Sequence, residues 1–319
     1  MTTVNTPWLS VVIAAHDAAS TLPNQLAPLV AQAAGRPWEI LVCDNGSRDG
    51  TRRLVQEWAA QHPQVRLVDA GARRGPAAAR NIGVEAARGD VIAFVDADDV
   101  VGDGWADAVE RALTEHAFVA GRFDIERLHP RSRVTVSWSP QLDGLTHLEW
   151  MPGLVTAGAG NMAMRREIFD AVGGFDETLR TAEDDDLCLR AQLLGHRLHY
   201  EPRMVLHVRR RSGLRQVFRH AVTAGAGAHR LAHKYARVAA ELAAVDEPPS
   251  AAPATTTDPG QTRRRLARLL RPETIANLAW RIGWRLGWRT ADLDGIVQPT
   301  AAELRRPGRR DGRPKGRRS

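Results

Sequence analysis

Cysteine is almost missing from the 319 residues: Cys43 and Cys188 are the only two. Two are too few for a disulfide framework, and a chain of this length buries a core without one, so a disulfide-held miniprotein is excluded and a reducing compartment is expected. Long apolar runs are absent too, none approaching the ~18–20 residues that span a bilayer. The short stretch Leu9–Ala15 has no basic leader and runs into His16 and Asp17. It is unlike a signal peptide, so a cytosolic protein is expected. Lysine is scarce, with only Lys234 and Lys315, and arginine carries the basic character. No Gly-x-Gly-x-x-Gly follows the first apolar run, where Ala14-Ala15-His16-Asp17-Ala18-Ala19 stands instead. That disfavours a dinucleotide-dependent oxidoreductase, and the missing Gly-rich phosphate loop disfavours a sugar nucleotidyltransferase.

The net charge of +7 is unevenly distributed. Residues 261–319 hold 16 Lys and Arg against 5 Asp and Glu, whereas the remainder holds 28 against 32. The body is mildly acidic and the tail strongly basic. Between them, residues 245–262 (VDEPPSAAPATTTDPGQT) are rich in Pro, Ala and Thr and read as a linker. The expected division is a catalytic domain over 1–244, the linker over 245–262, and a basic appendage over 263–319.

Four short apolar runs read as buried parallel strands: Leu9–Ala15, Glu39–Cys43, Arg66–Val68 and Val91–Val95. Helical stretches lie between them, over Ala19–Ala34, Asp49–Gln61 and Ala77–Ala87, with Ser47 and Asp49 offering caps to the second. Strand alternating with helix predicts a doubly wound α/β sheet, whose ligands gather beyond the carboxyl ends of the strands. Later on, Val119–Leu128, Arg133–Trp138 and Val205–Arg209 look extended. Glu183–Gly195 is expected to be helical, as is Leu214–Ala244 apart from the small-residue patch Ala224–Ala228.

The strand ends deliver polar groups: Ala14-Ala15-His16-Asp17, Asp44-Asn45-Gly46-Ser47, and Asp96-Ala97-Asp98-Asp99. Carboxylates crowded at neighbouring tips repel one another, and a hard divalent cation bridging a diphosphate would balance them. Asp96 and Asp98, two apart in an extended segment, point the same way. Alone, such a pair could merely close a strand.

Four ordered stretches carry more weight together: SVVIAAHDA (10–18), EILVCDNGSRDGT (39–51), AAARNIGVEAARGDVIAFVDADD (77–99) and VGGFDETLRTAEDDDLCLRAQLLGH (172–196). Through them the chain resembles the family 2 glycosyltransferases over about residues 8–235. The resemblance implies a GT-A-type doubly wound mixed sheet flanked by helices, and an inverting, metal-assisted transfer of a sugar from a nucleoside-diphosphate sugar, most simply UDP-linked. In it Asp44 would bond the base edge, with Ala14, Ala15 and Asp17 completing that wall. Arg80 would face the diphosphate and Asp96 the ribose and metal shell. Asp98 would bind Mn²⁺ or Mg²⁺, with His207 as a further contact. The sequence departs from the family pattern at His16-Asp17-Ala18, where an aromatic–Asn pair is usual. A non-catalytic nucleotide- or membrane-binding scaffold of the same fold is the alternative.

Within Glu183-Asp184-Asp185-Asp186, Asp186 is four residues before Arg190, a helical ion-pair spacing. The resemblance makes Asp184 the general base, which would take the proton of an acceptor hydroxyl. Thr181–Asp184 also reads as a capping box. By the same resemblance Gly160, Asn161 and Asp185 would form a second tier near donor sugar and acceptor. Lipid-linked sugars, polysaccharide ends and small metabolites all remain open as acceptors.

In the tail, Trp280, Trp284 and Trp288 recur every four residues, each followed by an arginine. On a helix the rings span about 80° with the arginines beside them. Gly283 and Gly287 each weaken such a helix by ~1 kcal/mol relative to Ala. The tryptophan row suits either an anionic membrane surface, on the inner face of the plasma membrane, or the acidic body; the composition favours the membrane. Arg305–Ser319 is expected to be disordered and to strengthen binding to anions without specific nucleic-acid recognition.

Overall fold

The computed structural model describes residues 6–128, 134–136, 139–244 and 272–304. Leu9–Ala15 (β1), Trp38–Asp44 (β2), Val65–Asp69 (β3) and Val91–Asp96 (β4) pair in parallel, with β1 between β2 and β4 and β3 outside β2. Their crossovers are Leu22–Ala33 (α1), Thr51–Gln61 (α2) and Pro76–Ala86 (α3). The register sets Ala15 opposite Asp44 and Ala14 opposite Asp96, so both acids leave the sheet at one end. Gly83 lets α3 lie close on the sheet: a Cβ there would fall 2.5 Å from Val12 and 2.6 Å from Cys43. Arg80, one turn earlier, thereby reaches the strand tips.

The sheet then turns mixed. Val100–Val101 (β5), Phe118–Asp124 (β6), Asn161–Arg165 (β9) and His199–His207 (β10) join it. Among the described residues it then holds eight strands, in the order β3-β2-β1-β4-β9-β6-β10-β5. β9 runs antiparallel between β4 and β6. Thr146–His147 (β7) and Val155–Thr156 (β8) form a separate ribbon. Trp105–Glu115 (α4), Arg166–Val172 (α5) and Glu183–Leu193 (α6) complete the helical layers, and apolar cores fill both faces. The architecture is the expected mixed α/β sheet flanked by helices. The expected strand Arg133–Trp138 is not one where it is described. Val134–Val136 is irregular, because the Val134 carbonyl accepts from Gly213 N–H and the Thr135 hydroxyl donates to the Arg211 carbonyl instead of a neighbouring strand.

Two further expectations are corrected. Residues 224–228 do not interrupt the helix: Leu214–Lys234 (α7) is continuous and is followed by Ala236–Ala243 (α8). The small residues are where other backbone packs closest, since a Cβ on Gly225 would sit 2.0 Å from the Trp284 carbonyl oxygen. Pro272–Arg289 (α9) supplies that carbonyl and packs along α7, with Ala276, Gly283 and Gly287 buried. The glycines that would weaken an isolated helix here permit helix contact. The capping box is also not formed. Ala182 is the N-cap of α6, in left-handed backbone at φ 65°, and the Thr181 hydroxyl donates to the Thr223 carbonyl on α7. The linker over 245–262 and the run Arg305–Ser319 lie outside the described residues. Among the described residues no helix is long and apolar enough to cross a membrane.

Asp186 ties α6 to α7 and α8. Fully buried, it accepts from Arg190 Nε at 2.8 Å, the expected i,i+4 partner, and from Lys234 Nζ at 2.6 Å and the Tyr235 hydroxyl at 2.8 Å. Lys234 also bonds Asp176 at 2.7 Å. Burial would raise the Asp176 carboxyl, but Lys234 and Thr178 outweigh it and hold it at about 2. Asp176 therefore stabilises the fold above the ordinary carboxylate range, and that contribution is lost as pH falls toward 2. Asp186→Ala leaves buried Arg190 without its carboxylate and Lys234 with Asp176 alone, and is expected to cost about 3–5 kcal/mol in urea denaturation. A loss below ~1 kcal/mol would show that the cluster is not a fastening point.

Candidate active site

Beyond the tips of β1 and β2 lies a cavity of about 310 Å³, lined by Ala14, Ala15, His16, Asn45, Arg74, Gly75, Pro76 and Ala79. Two of the expected wall residues, Ala14 and Ala15, are there. Asp44 is buried beneath, its carboxylate accepting from Ser47 N–H at 3.2 Å with Arg52 Nη1 at 3.5 Å. Asp17, at φ 49°, accepts from the N–H groups of Arg48 and Asp49. It fastens the loop after β2 and is not among the residues lining the cavity. Asn45 holds the other rim, donating to the carbonyls of Ala70 and Arg73 and accepting from Gly75 N–H. Asn45 and Arg74 were not singled out from the sequence; their position after β2 and before the Gly75-Pro76 start of α3 was the available signal.

A second set of acids meets around Arg80. Its buried guanidinium donates from Nη2 to Asp96 at 2.8 Å and from Nη1 to Glu183 at 2.9 Å, above the Phe175 ring. Burial opposes its charge, but Asp96 and Glu183 more than restore it. Both terminal nitrogens are engaged with protein, so in this arrangement Arg80 holds acids together. The loop before β9 closes the same group: Ala159 N–H donates to Asp184 Oδ2 at 3.3 Å, and a Cβ on Gly160 would sit 2.7 Å from Asp96 Oδ2. Asp96 from the first half and Asp184 from the second therefore flank one loop.

Asp184 lies in the first turn of α6, where the helix dipole favours a carboxylate. Burial still raises its carboxyl, with Arg80 acting in the opposite direction. Asp185 is pushed up to about 8 by burial and by the Asp184 charge. Asp98 opens to solvent at the cleft, and its carboxyl is raised by the protein packed around it and by Asp96. Buried Asp99 is raised further by the same causes, and accepts from Arg209 N–H at 2.7 Å. Such crowding of hard oxygens suits a divalent cation. Among the described residues no three His, Cys, Asp or Glu side chains are gathered as a metal site, so oxygens of a bound diphosphate would have to complete the shell.

His207 sits mostly buried with Nδ1 3.1 Å from Asp124 Oδ2; burial lowers its pKa more than the Asp124 charge raises it. Asn161 points inward instead: it accepts from Trp105 Nε1 at 2.8 Å and donates to the carbonyls of Met204 and Arg122. Asn161 is a sheet fastener, not a cleft residue. Around Asp96 and Asp98 opens another cavity, of about 290 Å³, walled by Arg209, Arg210, Arg211, His220 and Trp280 among others. Among the described residues, Nε and Nη2 of Arg210 are buried there without a hydrogen-bond partner. Apart from Trp280, read from the sequence as part of a membrane- or body-facing row, these residues escaped the sequence reading, although the Arg run directly after the strand bearing His207 was a visible sign. Gly160→Ala should push Asp96 or the loop out of place, lowering donor turnover by ~10-fold or more with the fold retained. Steady-state kinetics within twofold of the parent would show that the approach is not critical.

The sequence profile described as Glycosyl transferase family 2 matches residues 10–173, just over half of the chain. The succinoglycan biosynthesis protein ExoO of Rhizobium meliloti (strain 1021) is 33% identical over 218 residues, covering 64% of this chain and 61% of that protein. The pre-mycofactocin glycosyltransferase of Mycobacterium tuberculosis is 30% identical over 200 residues, covering 61% of this chain and 41% of that one. The matched stretch thus spans less than two thirds of either relative. Among solved structures, a mannosyltransferase from Pyrobaculum calidifontis in complex with GDP-Man and Mn²⁺ aligns with TM-score 0.53 at 20% identity, over 88% of this chain and 73% of that one. At that identity the likeness speaks for the GT-A fold. With the strand tips, the acid cluster and the matched profile in agreement, the chain belongs to glycosyl transferase family 2.

Proposed function

We propose that the protein transfers a sugar from a nucleoside-diphosphate sugar, UDP-linked in the simplest case, to an acceptor hydroxyl with inversion. The observation that supports this most is Arg80 and the Gly158–Asn161 loop joining Asp96 to Glu183 and Asp184. The base and ribose would enter the cavity beside Ala14 and Ala15, above Asp44, and Asp17 would keep that rim in shape. Asp98, with Asp96 beside it, would hold Mn²⁺ or Mg²⁺, and His207 would offer a further nitrogen. When bound, the ion supplies positive charge against the diphosphate leaving group. Arg210, whose Nε and Nη2 have no hydrogen-bond partner among the described residues, would meet phosphate oxygens in the adjoining cavity. Asp184 would accept the proton of the attacking hydroxyl. Arg80 would act on positions, setting the spacing of the acids.

The acceptor would approach past His220 and Trp280. Residues 1–244 would form the catalytic domain and 263–319 an appended basic segment whose helix completes that wall. The protein would act peripherally at an anionic membrane, on an acceptor that is lipid-linked. The Pyrobaculum calidifontis mannosyltransferase was solved with GDP-Man, so GDP-sugars stand beside UDP-sugars as donors to test.

With Mn²⁺ and a panel of UDP- and GDP-sugars, Asp98→Ala is expected to abolish metal-dependent donor hydrolysis and transfer. Asp184→Asn is expected to bind donor within about threefold of the parent and to lose transfer by ~10²–10⁴-fold. Full turnover in both variants would contradict the reading, and donor binding without turnover in the parent would favour a scaffold. In the parent, transfer should rise with pH as Asp184 ionises, with a midpoint above the ordinary ~3.9 of aspartate. Arg80, Glu183 and Asp185 are the charged or titrating groups around Asp184, and the rising limb should vanish in Asp184→Asn.

A further inference from the structure

The packing of α9 reverses which of its rows faces outward. Ala276, Gly283 and Gly287 lie buried against α7. The tryptophans run along one edge of that contact: Trp288 stacks on the His229 ring at 4.5 Å, and Trp280 meets His220 edge-on at 5.3 Å. On the outer side Ile275, Leu278, Ile282 and Leu286 are 40%, 56%, 54% and 45% exposed. At 100° per residue these four fall within about 80° of arc. Arg281, Arg285 and Arg289 form the next row, also exposed.

Single exposed aliphatics are ordinary, whereas a contiguous stripe of four marks a surface that something covers. Its flank identifies the covering partner by charge. Three arginines share the outer side, and the only acid of the helix, Glu273, acts electrostatically on Arg210. Aliphatic side chains entering an acyl boundary, with guanidiniums beside them on headgroup phosphates, are how an interfacial helix lies on a membrane.

We propose that this outer face of α9 docks on an anionic lipid bilayer, with Ile275, Leu278, Ile282 and Leu286 inserted and Arg281, Arg285 and Arg289 on lipid phosphates. The proposal makes the membrane association above specific to these side chains and removes the tryptophans from the lipid-facing role. It also bears on catalysis, because Trp280 of the same helix lines the cavity with Asp98. The docked helix would hold the acceptor side of the cleft at the bilayer surface. Lipid binding itself requires no sugar transfer, so the two readings fail separately.

The test is co-sedimentation of the full chain with phosphatidylcholine vesicles carrying 0% or about 30% phosphatidylglycerol. Binding is expected to be at least ~10-fold stronger to the anionic vesicles and to weaken in high salt. Ile282→Asp with Leu286→Asp, and Arg281→Glu with Arg285→Glu, should each lower it ~10-fold or more. Ile282→Ser with Leu286→Ser guards against misfolding, and an unchanged thermal melt confirms that α9 stays docked. Equal anionic binding by all variants would assign it to another basic segment and overturn the proposal. So would no binding by the parent. A concentration-dependent dimer in sedimentation equilibrium, abolished by Ile282→Asp with Leu286→Asp, would also overturn it, by making the stripe a self-association face.

Discussion

A buried guanidinium between two carboxylates from opposite halves of the chain is the constraint on which the site depends. Asp96 ends a parallel strand laid down early, whereas Glu183 opens a helix nearly ninety residues later. Left to themselves, clustered acids would repel and lose their solvation. Arg80 compensates two of them at once through Nη1 and Nη2, and its pairing with Glu183 sets the start of α6 where Asp184 meets the loop before β9. A buried charge set of this kind adds little net stability over a well-packed apolar core, but it is costly to break. Its use here is positional.

Close backbone approach is the second theme. Gly83 brings α3, and with it Arg80, onto the sheet, and Gly160 lets a loop pass directly over Asp96. Gly225, Gly283 and Gly287 do the same between α7 and α9, which is how a helix distant in sequence comes to wall the cavity beside Asp98. A second ion cluster, Asp186 with Arg190, Lys234 and Tyr235, fixes α7 to α6. The helix that carries Asp184 and the C-terminal helices are therefore mechanically continuous, and what α9 rests on bears on the wall of the cavity beside Asp98.

The first hundred residues were legible because their signals are local. Apolar runs bounded by turn residues marked β1 to β4 and their crossover helices within a few residues, and acids at strand ends stood out as chemistry. The i,i+4 pair Asp186–Arg190 was legible for the same reason. Contacts between distant segments were not. Nothing local distinguishes Asn161, consumed by Trp105 and two carbonyls, from a cleft asparagine. The glycines of α9 looked like weaknesses until α7 lay against them, and the tryptophan row looked lipid-facing until His220 and His229 took its rings. Thr181 matched a capping box, yet its hydroxyl is drawn to α7. In each case tertiary packing overrode a sound local preference.

The arginine between the acids can be examined directly. In Arg80→Met, with far-ultraviolet circular dichroism confirming a folded chain, turnover of the nucleotide-sugar donor with Mn²⁺ should fall by at least ~10²-fold, because Asp96 and Glu183 separate and carry Asp184 out of register. Turnover within about threefold of the parent would show that these acids reach a working arrangement without Arg80, and would contradict the account.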